Sequence, residues 1–290
     1  MAIAQSELIL NNDGSIYHLN LKPEHLADTI ITVGDPDRVS QVTQYFDRVE
    51  FSIHKREFHT QTGTYKGKRI TVISTGIGTD NIDIVFNELD ALVNIDLDSR
   101  RVKEKHTSLD IIRIGTSGAI QNDIPINSFI ISEIAVGFDS LLHFYDSTDV
   151  QLPEFSKALI EHLDWDANKS VPYTVTSDSD LTDYLLSDKI KKGVTITNVG
   201  FYGPQGRVLR LPLQDDKLNQ KIASFIHNNK KITNLEMETA GIYGMAKLLG
   251  HRAVSMNAIL ANRSTGEFSK DPKIVVDQLI QYTLDKISRL

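Results

Sequence analysis

Three short runs rich in β-branched residues lead into glycine within two residues: 29–33 (TIITV), 70–74 (ITVIS) and 110–114 (DIIRI). Continuous apolar runs of this length, without polar alternation, belong to strands covered on both faces. The chain must therefore also supply helices to cover them. Ile82, Val85, Phe86, Leu89, Leu92 and Val93 keep helical spacing across residues 79–93, giving one apolar stripe. Val276, Leu279, Ile280, Thr283, Leu284 and Ile287 do the same at the C-terminal end, with Asp271 as expected cap and Pro272 in the first turn. Further strands are expected at 128–134, 194–199, 232–235 and 253–260, and a helix at 239–249.

No Pro/Gly/Ser linker and no repeat divides the chain, so the expectation is α/β, a single domain over residues 1–290 with a central mixed β-sheet flanked by helices. Residues 96–109 (DLDSRRVKEKHTSL) interrupt the pattern as a charged, solvated excursion with no assigned chemistry. With 31 Lys+Arg against 38 Asp+Glu, the formal charge of −7 disfavours nucleic acid and anionic membrane as partners. Cysteine is absent, which excludes disulfides, thiolate nucleophiles and sulfur-ligated zinc and suits a reducing, cytoplasmic location. No run approaches the roughly 18 apolar residues of a membrane span.

The strand ends carry the chemistry. Gly34-Asp35-Pro36-Asp37-Arg38, Thr75-Gly76-Ile77-Gly78 and Gly115-Thr116-Ser117-Gly118 read as small-residue loops where ligands of α/β sheets gather. Arg38 and Arg113 flank two of them and Arg56 sits in KREF, all suited to phosphate oxygens, with Thr116 or Ser117 adding a hydroxyl. A dinucleotide fingerprint fails, because its third glycine would fall at Asn81, and there is no P-loop. Glu236 and Glu238, two apart at a strand end, would face vicinal sugar hydroxyls together; capping of the next helix by Glu238 is the competing reading. The spacing does not by itself support a glycosidase pair, which needs about 5 to 9.5 Å across a scissile bond. The nine histidines show no metal-binding spacing. In FYGPQGR at 201–207, aromatic rings suit a flat heterocycle and Gln205 and Arg207 suit its edge.

Together, GDPDR at 34–38, KREF at 55–58, STGIG at 74–78, RIGTSGAI at 113–120, FYGPQGR at 201–207, EMET at 236–239 and NR at 262–263 resemble the nucleoside phosphorylase family, and within it the uridine phosphorylases most. The resemblance implies reversible phosphorolysis of uridine to uracil and ribose 1-phosphate, with inorganic phosphate as co-substrate and no prosthetic cofactor. It assigns phosphate to Gly34, Arg38, Arg113 and Thr116, with Arg56 entering from a neighbouring subunit. Met237 and Glu238 would hold the ribose, Glu236 would support them, and His18 of the neighbour would meet the 5′-hydroxyl. Phe201, Gln205 and Arg207 would hold the base, with Arg263 behind Arg207. Arg113, Gln205, Arg207 and Glu238 are thus the expected catalytic set. Glu57, Ile77 and Asn81 match groups that hold a monovalent cation, expected to be potassium, in some bacterial members, although serine usually stands where Asn81 does. The active unit would be a homodimer, alone or in a hexamer built as a trimer of dimers. Purine-specific relatives have an acidic residue near the position of Asn262. The rival readings are a purine or broad-range phosphorylase, an N-ribohydrolase and a silent nucleoside-binding protein. Residues 264–273 read as a surface loop, with a lid as the alternative.

Overall fold

The computed structural model describes residues 2–290. Strand β1 (Thr29–Val33) is followed by the antiparallel β2 (Arg48–Lys55), β3 (Phe58–Tyr65) and β4 (Lys68–Ser74), and by a small hairpin, β5 (Ile95–Asp96) and β6 (Arg101–Val102). Then come β7 (Asp110–Ala119), β8 (Phe129–Gly137), β9 (Tyr173–Thr176), β10 (Ile190–Thr197), β11 (Ile226–His227), β12 (Lys230–Glu236) and β13 (Arg252–Asn262). The helices are α1 (Pro36–Thr43), α2 (Thr79–Asn94), α3 (Pro153–Leu163), α4 (Ser179–Leu185), α5 (Leu218–Ser224), α6 (Thr239–Leu248) and α7 (Pro272–Ile287). None is long and apolar enough to cross a membrane.

Eleven strands form one mixed sheet in the order β11-β12-β10-β8-β13-β7-β1-β4-β3-β2, with β9 paired to β8. All five residues of β1 are buried, Ile30 in a core with α2 and α6, Ile31 and Val33 in a core with α1, α4 and α7 on the other face. This two-sided cover is why the run is apolar throughout. The helical stripe of α2 packs as its spacing requires: Ile82, Val85, Phe86, Leu89 and Leu92 are fully buried. A third core, with α3 and α5, covers β8, β10 and β12.

One feature of the sheet decides the site. Strand β12 pairs with β10 on one side and, through Asn234 and Leu235, with Ala119 and Gly118 of β7 on the other. That second pairing closes β12, β10, β8, β13 and β7 into a ring. Residues 115–118, expected as a loop, are therefore strand, because β13 pairs along them to Ala119 and β12 crosses their end. Arg38 is likewise not in a loop but in the first turn of α1, whose N-cap Asp35 accepts from the Asp37 N–H at 2.9 Å. Asp271 precedes α7 and Pro272 opens it, yet the aspartate makes no capping hydrogen bond. Its backbone, at φ −129° and ψ 63°, is not in the extended conformation that turns such a side chain onto the first turn.

Candidate active site

A cavity of about 720 Å³ opens where β1, β4, β7, β12 and β13 end. Its wall includes Gly34, Arg38, Arg113, Thr116, Phe201, Gln205, Arg207, Glu236, Met237 and Glu238, so ten of the residues expected to hold phosphate, ribose and base meet in one place.

At its floor, Arg113 and the two glutamates form a buried knot. Arg113 Nη2 donates to Glu238 Oε2 at 2.5 Å and lies 3.2 Å from Glu236 Oε2. Its Nη1 donates to Asn257 Oδ1 at 3.1 Å. Gly115 makes this possible: a Cβ there would stand 1.7 Å from Arg113 Nη1, so the guanidinium lies across the bare backbone of the residue two further along its own strand. This glycine serves an arginine, whereas its expected use was the approach of an anion to backbone N–H groups. Burial alone would lower the Arg113 pKa, but the charges of Glu236 and Glu238 more than offset it and hold the guanidinium above its ordinary value. Burial pushes the Glu238 carboxyl up, against the pull of Arg113.

The glutamates divide their work. Glu236 accepts from the backbone N–H groups of Glu238 and Thr239, from Thr239 Oγ1, each at 2.9 Å, and from Thr197 Oγ1 at 2.6 Å. It, not Glu238, satisfies the N-terminus of α6. Glu238 instead accepts from the Gly78 N–H at 2.9 Å, tying the start of α2 to the start of α6. Gly78 has φ 95°, which suits glycine at this bend.

Arg38, half-buried in the wall, makes no ion pair among the described residues. Burial lowers its pKa, and the Arg113 charge lowers it further. Two guanidinium groups facing one cavity, with only one of them neutralised, make an anion site.

At the other end, residues 201–207 form a self-contained reader. Arg207 Nη1 donates to Phe201 O at 2.6 Å and to Gln205 Oε1 at 2.7 Å, and its guanidinium lies 3.7 Å from the centre of the Phe201 ring. Guanidinium only donates, so the Gln205 amide oxygen must face it and the amide N–H groups are left for a carbonyl acceptor. Arg263, expected behind Arg207, donates from Nη2 to Gln205 O at 3.2 Å and so braces the loop through its backbone. Burial and the Arg263 charge pull the Arg207 pKa down to about 10.

Besides Arg263, two expected residues lie off the cavity wall. His18 Nδ1 is 2.6 Å from Glu88 Oε1 on α2, and Arg56 is exposed at the β2–β3 turn with φ 57°. Lys55 Nζ bonds Tyr17 O at 2.5 Å and Asn11 Oδ1 at 3.1 Å, so the neighbours of Arg56 and His18 hold them on one shared patch. Glu57, Ile77 and Asn81 gather at the cavity mouth, where Asn81 and Glu57 side chains crowd Gly76. Leu260, Ala261 and Phe268 also line the wall and were not expected. Phe268 is 63% exposed in an otherwise polar segment, which was its only signal. Residues 262–269 form a turn held by Asn262 N–H to Glu267 O and Ser269 N–H to Leu260 O, at 2.9 and 2.7 Å.

Over residues 28–284 the chain matches the sequence model of the phosphorylase superfamily. The chain belongs to that superfamily. It is 32% identical to a uridine phosphorylase of Thermococcus kodakarensis over 269 residues, 89% of this chain and 81% of the relative. A DeoD-type purine nucleoside phosphorylase of Bacillus subtilis is 26% identical over 275 residues, 94% of this chain and 99% of that one. Among solved structures, a Trypanosoma brucei nucleoside phosphorylase described as showing uridine phosphorylase activity superposes with a TM-score of 0.87 at 28% identity, covering 98% of this phosphorylase and all of that chain. A uridine phosphorylase of Phytophthora capsici, at TM-score 0.71 and 21% identity over 100% and 99% of the two chains, shares the fold.

Proposed function

We propose that this phosphorylase cleaves uridine with inorganic phosphate, giving uracil and ribose 1-phosphate reversibly. The observation that carries the reading is what one cavity wall brings together: Arg38, without an ion pair among the described residues, the Glu238 carboxylate beside Met237, and the bonded pair Gln205 and Arg207. Phosphate held by Arg38, Arg113 and Thr116 would sit against C1′, where its charge stabilises the positive sugar ring as the glycosidic bond lengthens. Glu238 would accept from a ribose hydroxyl. Gln205 and Arg207 would donate to the uracil carbonyl oxygens as these gain charge, so their contacts strengthen toward the transition state. No covalent intermediate on the enzyme is needed.

Purine cleavage fits less well. Asn262 Nδ2 donates to Gln121 O at 2.9 Å and Ile124 O at 2.8 Å, while Oδ1 accepts from Ser264 and Thr265 N–H at 2.8 and 3.1 Å. Its side chain is consumed in holding the turn and offers no proton to a purine ring. A hydrolase has no use for the anion site.

His18 and Arg56, standing together off their own cavity, support a homodimer in which each subunit lends that patch to the other, alone or within a hexamer. Glu57, Ile77 and Asn81 bring a carboxylate, a backbone carbonyl and an amide, oxygen donors of the kind that suit potassium between subunits. We read residues 1–290 as one folding unit because a single sheet runs through both halves, and the cysteine-free composition supports the cytoplasm.

The test is uracil release from uridine by the purified protein, with and without phosphate, alongside inosine and thymidine. Phosphate-dependent release of uracil is expected; release without phosphate, or inosine as the better substrate, would overturn the reading.

A further inference from the structure

The ring closed by β7, β8, β10, β12 and β13 has an unusual interior. Each strand contributes a buried polar residue to it: Arg113, Ser132, Thr195, Asn234, and Ser255 with Asn257. Buried polar groups of this kind are tolerated only where they are satisfied, and then they rigidify what they touch.

The proton directions around Arg113 follow from chemistry. A guanidinium only donates and a carboxylate only accepts. Arg113 Nη1 donates to Asn257 Oδ1 at 3.1 Å, which fixes the amide with its nitrogen turned away. That nitrogen donates to Ser132 Oγ at 3.0 Å and Ser255 Oγ at 3.3 Å. Ser132 Oγ, already accepting, passes its proton toward Thr195 Oγ1 at 2.6 Å. Ser255 Oγ, accepting from Asn257, gives its own to Thr239 Oγ1 at 2.9 Å, and Thr239 donates to Glu236 Oε2 at 2.9 Å. Glu236 returns to Arg113 at 3.2 Å. The loop of contacts is closed, and Asn257 is the only member that holds Nη1 at ordinary hydrogen-bond distance, the Ser255 contact being 3.4 Å.

The strand register explains why the position suits the task. Ser255 and Asn257 of β13 pair with Arg113 and Gly115 of β7, so the guanidinium that lies over Gly115 arrives opposite Asn257. Asn257 itself is fully buried and takes no part in the cavity wall.

We infer that Asn257 is a positioning residue: it sets the plane of the Arg113 guanidinium and thereby where Arg113 and Glu238 meet phosphate and ribose. The inference rests on the phosphorolysis reading for its kinetic consequences, but not for its effect on phosphate binding. Displacing a catalytic group by about 1 Å costs on the order of 10²-fold in rate.

The experiment compares the wild type with Asn257→Leu, Asn257→Asp and Ser132→Ala. Ser132 loses its bond to Asn257 without touching Arg113, so S132A reports the cost of disturbing the ring interior alone. Thermal melts, titration of inorganic phosphate by calorimetry, and uridine kinetics at varied phosphate are read for each. N257L is expected to lose about 10²-fold in kcat/KM and to bind phosphate more weakly, well beyond what S132A shows. N257D adds a third carboxylate facing Arg113, Glu236, Glu238 and the Tyr243 hydroxyl, so burial and like charge should raise its pKa. Protonated, it reproduces the acceptor that Asn257 offers. Its activity relative to wild type should therefore rise as pH falls, which a packing role would not produce. N257L matching S132A in phosphate affinity and kinetics, or a pH-independent N257D ratio, would overturn the inference; N257D supplies the answer if N257L does not fold. A wild type that binds phosphate but releases no uracil would count against the uridine reading only, and one that binds no phosphate would overturn both.

Discussion

The two ends of the cavity are built on opposite plans. At the end proposed for phosphate and sugar, Arg113, Glu236, Glu238, Ser255 and Asn257 come from three strands and the β12–α6 junction, up to 144 residues apart, and are almost fully buried. At the base end, Phe201, Gln205 and Arg207 bond within six residues of one another, and Phe201 is half exposed. The first arrangement exists only if the whole sheet folds, whereas the second is local, with Arg263 and Asn219 as its outside braces. The contrast teaches that reaction and specificity are separable here. On the proposed function, the groups that meet phosphate and ribose sit in the closed ring, and those that meet the base sit in a loop that can vary without disturbing it.

The largest effect should follow from cutting the knot. Arg113→Met leaves Glu236 and Glu238 buried without their counter-charge, and breaking a buried pair on one side costs about 3–5 kcal/mol. Activity and folding should fail together. Melting and uridine turnover of the same preparation check this, and a variant that melts like wild type would dissolve the distinction between the two ends.

Arg207→Ala should do the reverse. Removing one placed donor costs about 10²- to 10³-fold in rate, but the bonds lost lie inside a half-exposed loop, so the melting temperature should scarcely move. Turnover within a few-fold of wild type would take Arg207 out of base recognition. Arg38→Ala should be milder still. Hydrogen bonds to a charged group contribute about 1.5–3 kcal/mol, so the phosphate KM should rise roughly 10- to 100-fold with little change in the uridine KM. Equal loss in both would mean that Arg38 shapes the cavity instead of holding phosphate.

The same contrast governs what the sequence discloses. Residues 29–33 appear in the structure with the expected bounds, since a strand buried on both faces writes its environment into every position. The stripe from Ile82 to Leu92 is equally plain, and the FYGPQGR reader is legible because its partners are neighbours. Residues 115–118 read locally as a loop, yet β13 keeps them extended along their length and β12 pairs at their end, both more than 110 residues later. No local pattern reveals that closure. For the same reason Asn257 reads as an ordinary strand residue, the capping of α6 falls to Glu236 where the sequence offers Glu238, and nothing local marks Leu260 as a cavity residue.

The smallest expected effect concerns the pH dependence of the base end. Burial and Arg263 bring the Arg207 pKa to about 10, so its charge is complete at neutral pH and declines as pH rises through that value. On the proposed function the protonated form is the donor to uracil, which places the decline on the alkaline side. Arg263→Met removes the neighbouring charge and should move the alkaline limb of kcat/KM to higher pH. Glu238 provides the opposite limb: burial raises its pKa, so the form that accepts from ribose should be lost at a pH above the ordinary carboxylate value of 4.5. If the ends are independent, R263M should shift the alkaline limb and leave the acid limb in place. Movement of both limbs would show that the loop and the buried knot titrate as one unit, and the separation of specificity from reaction would have to be abandoned.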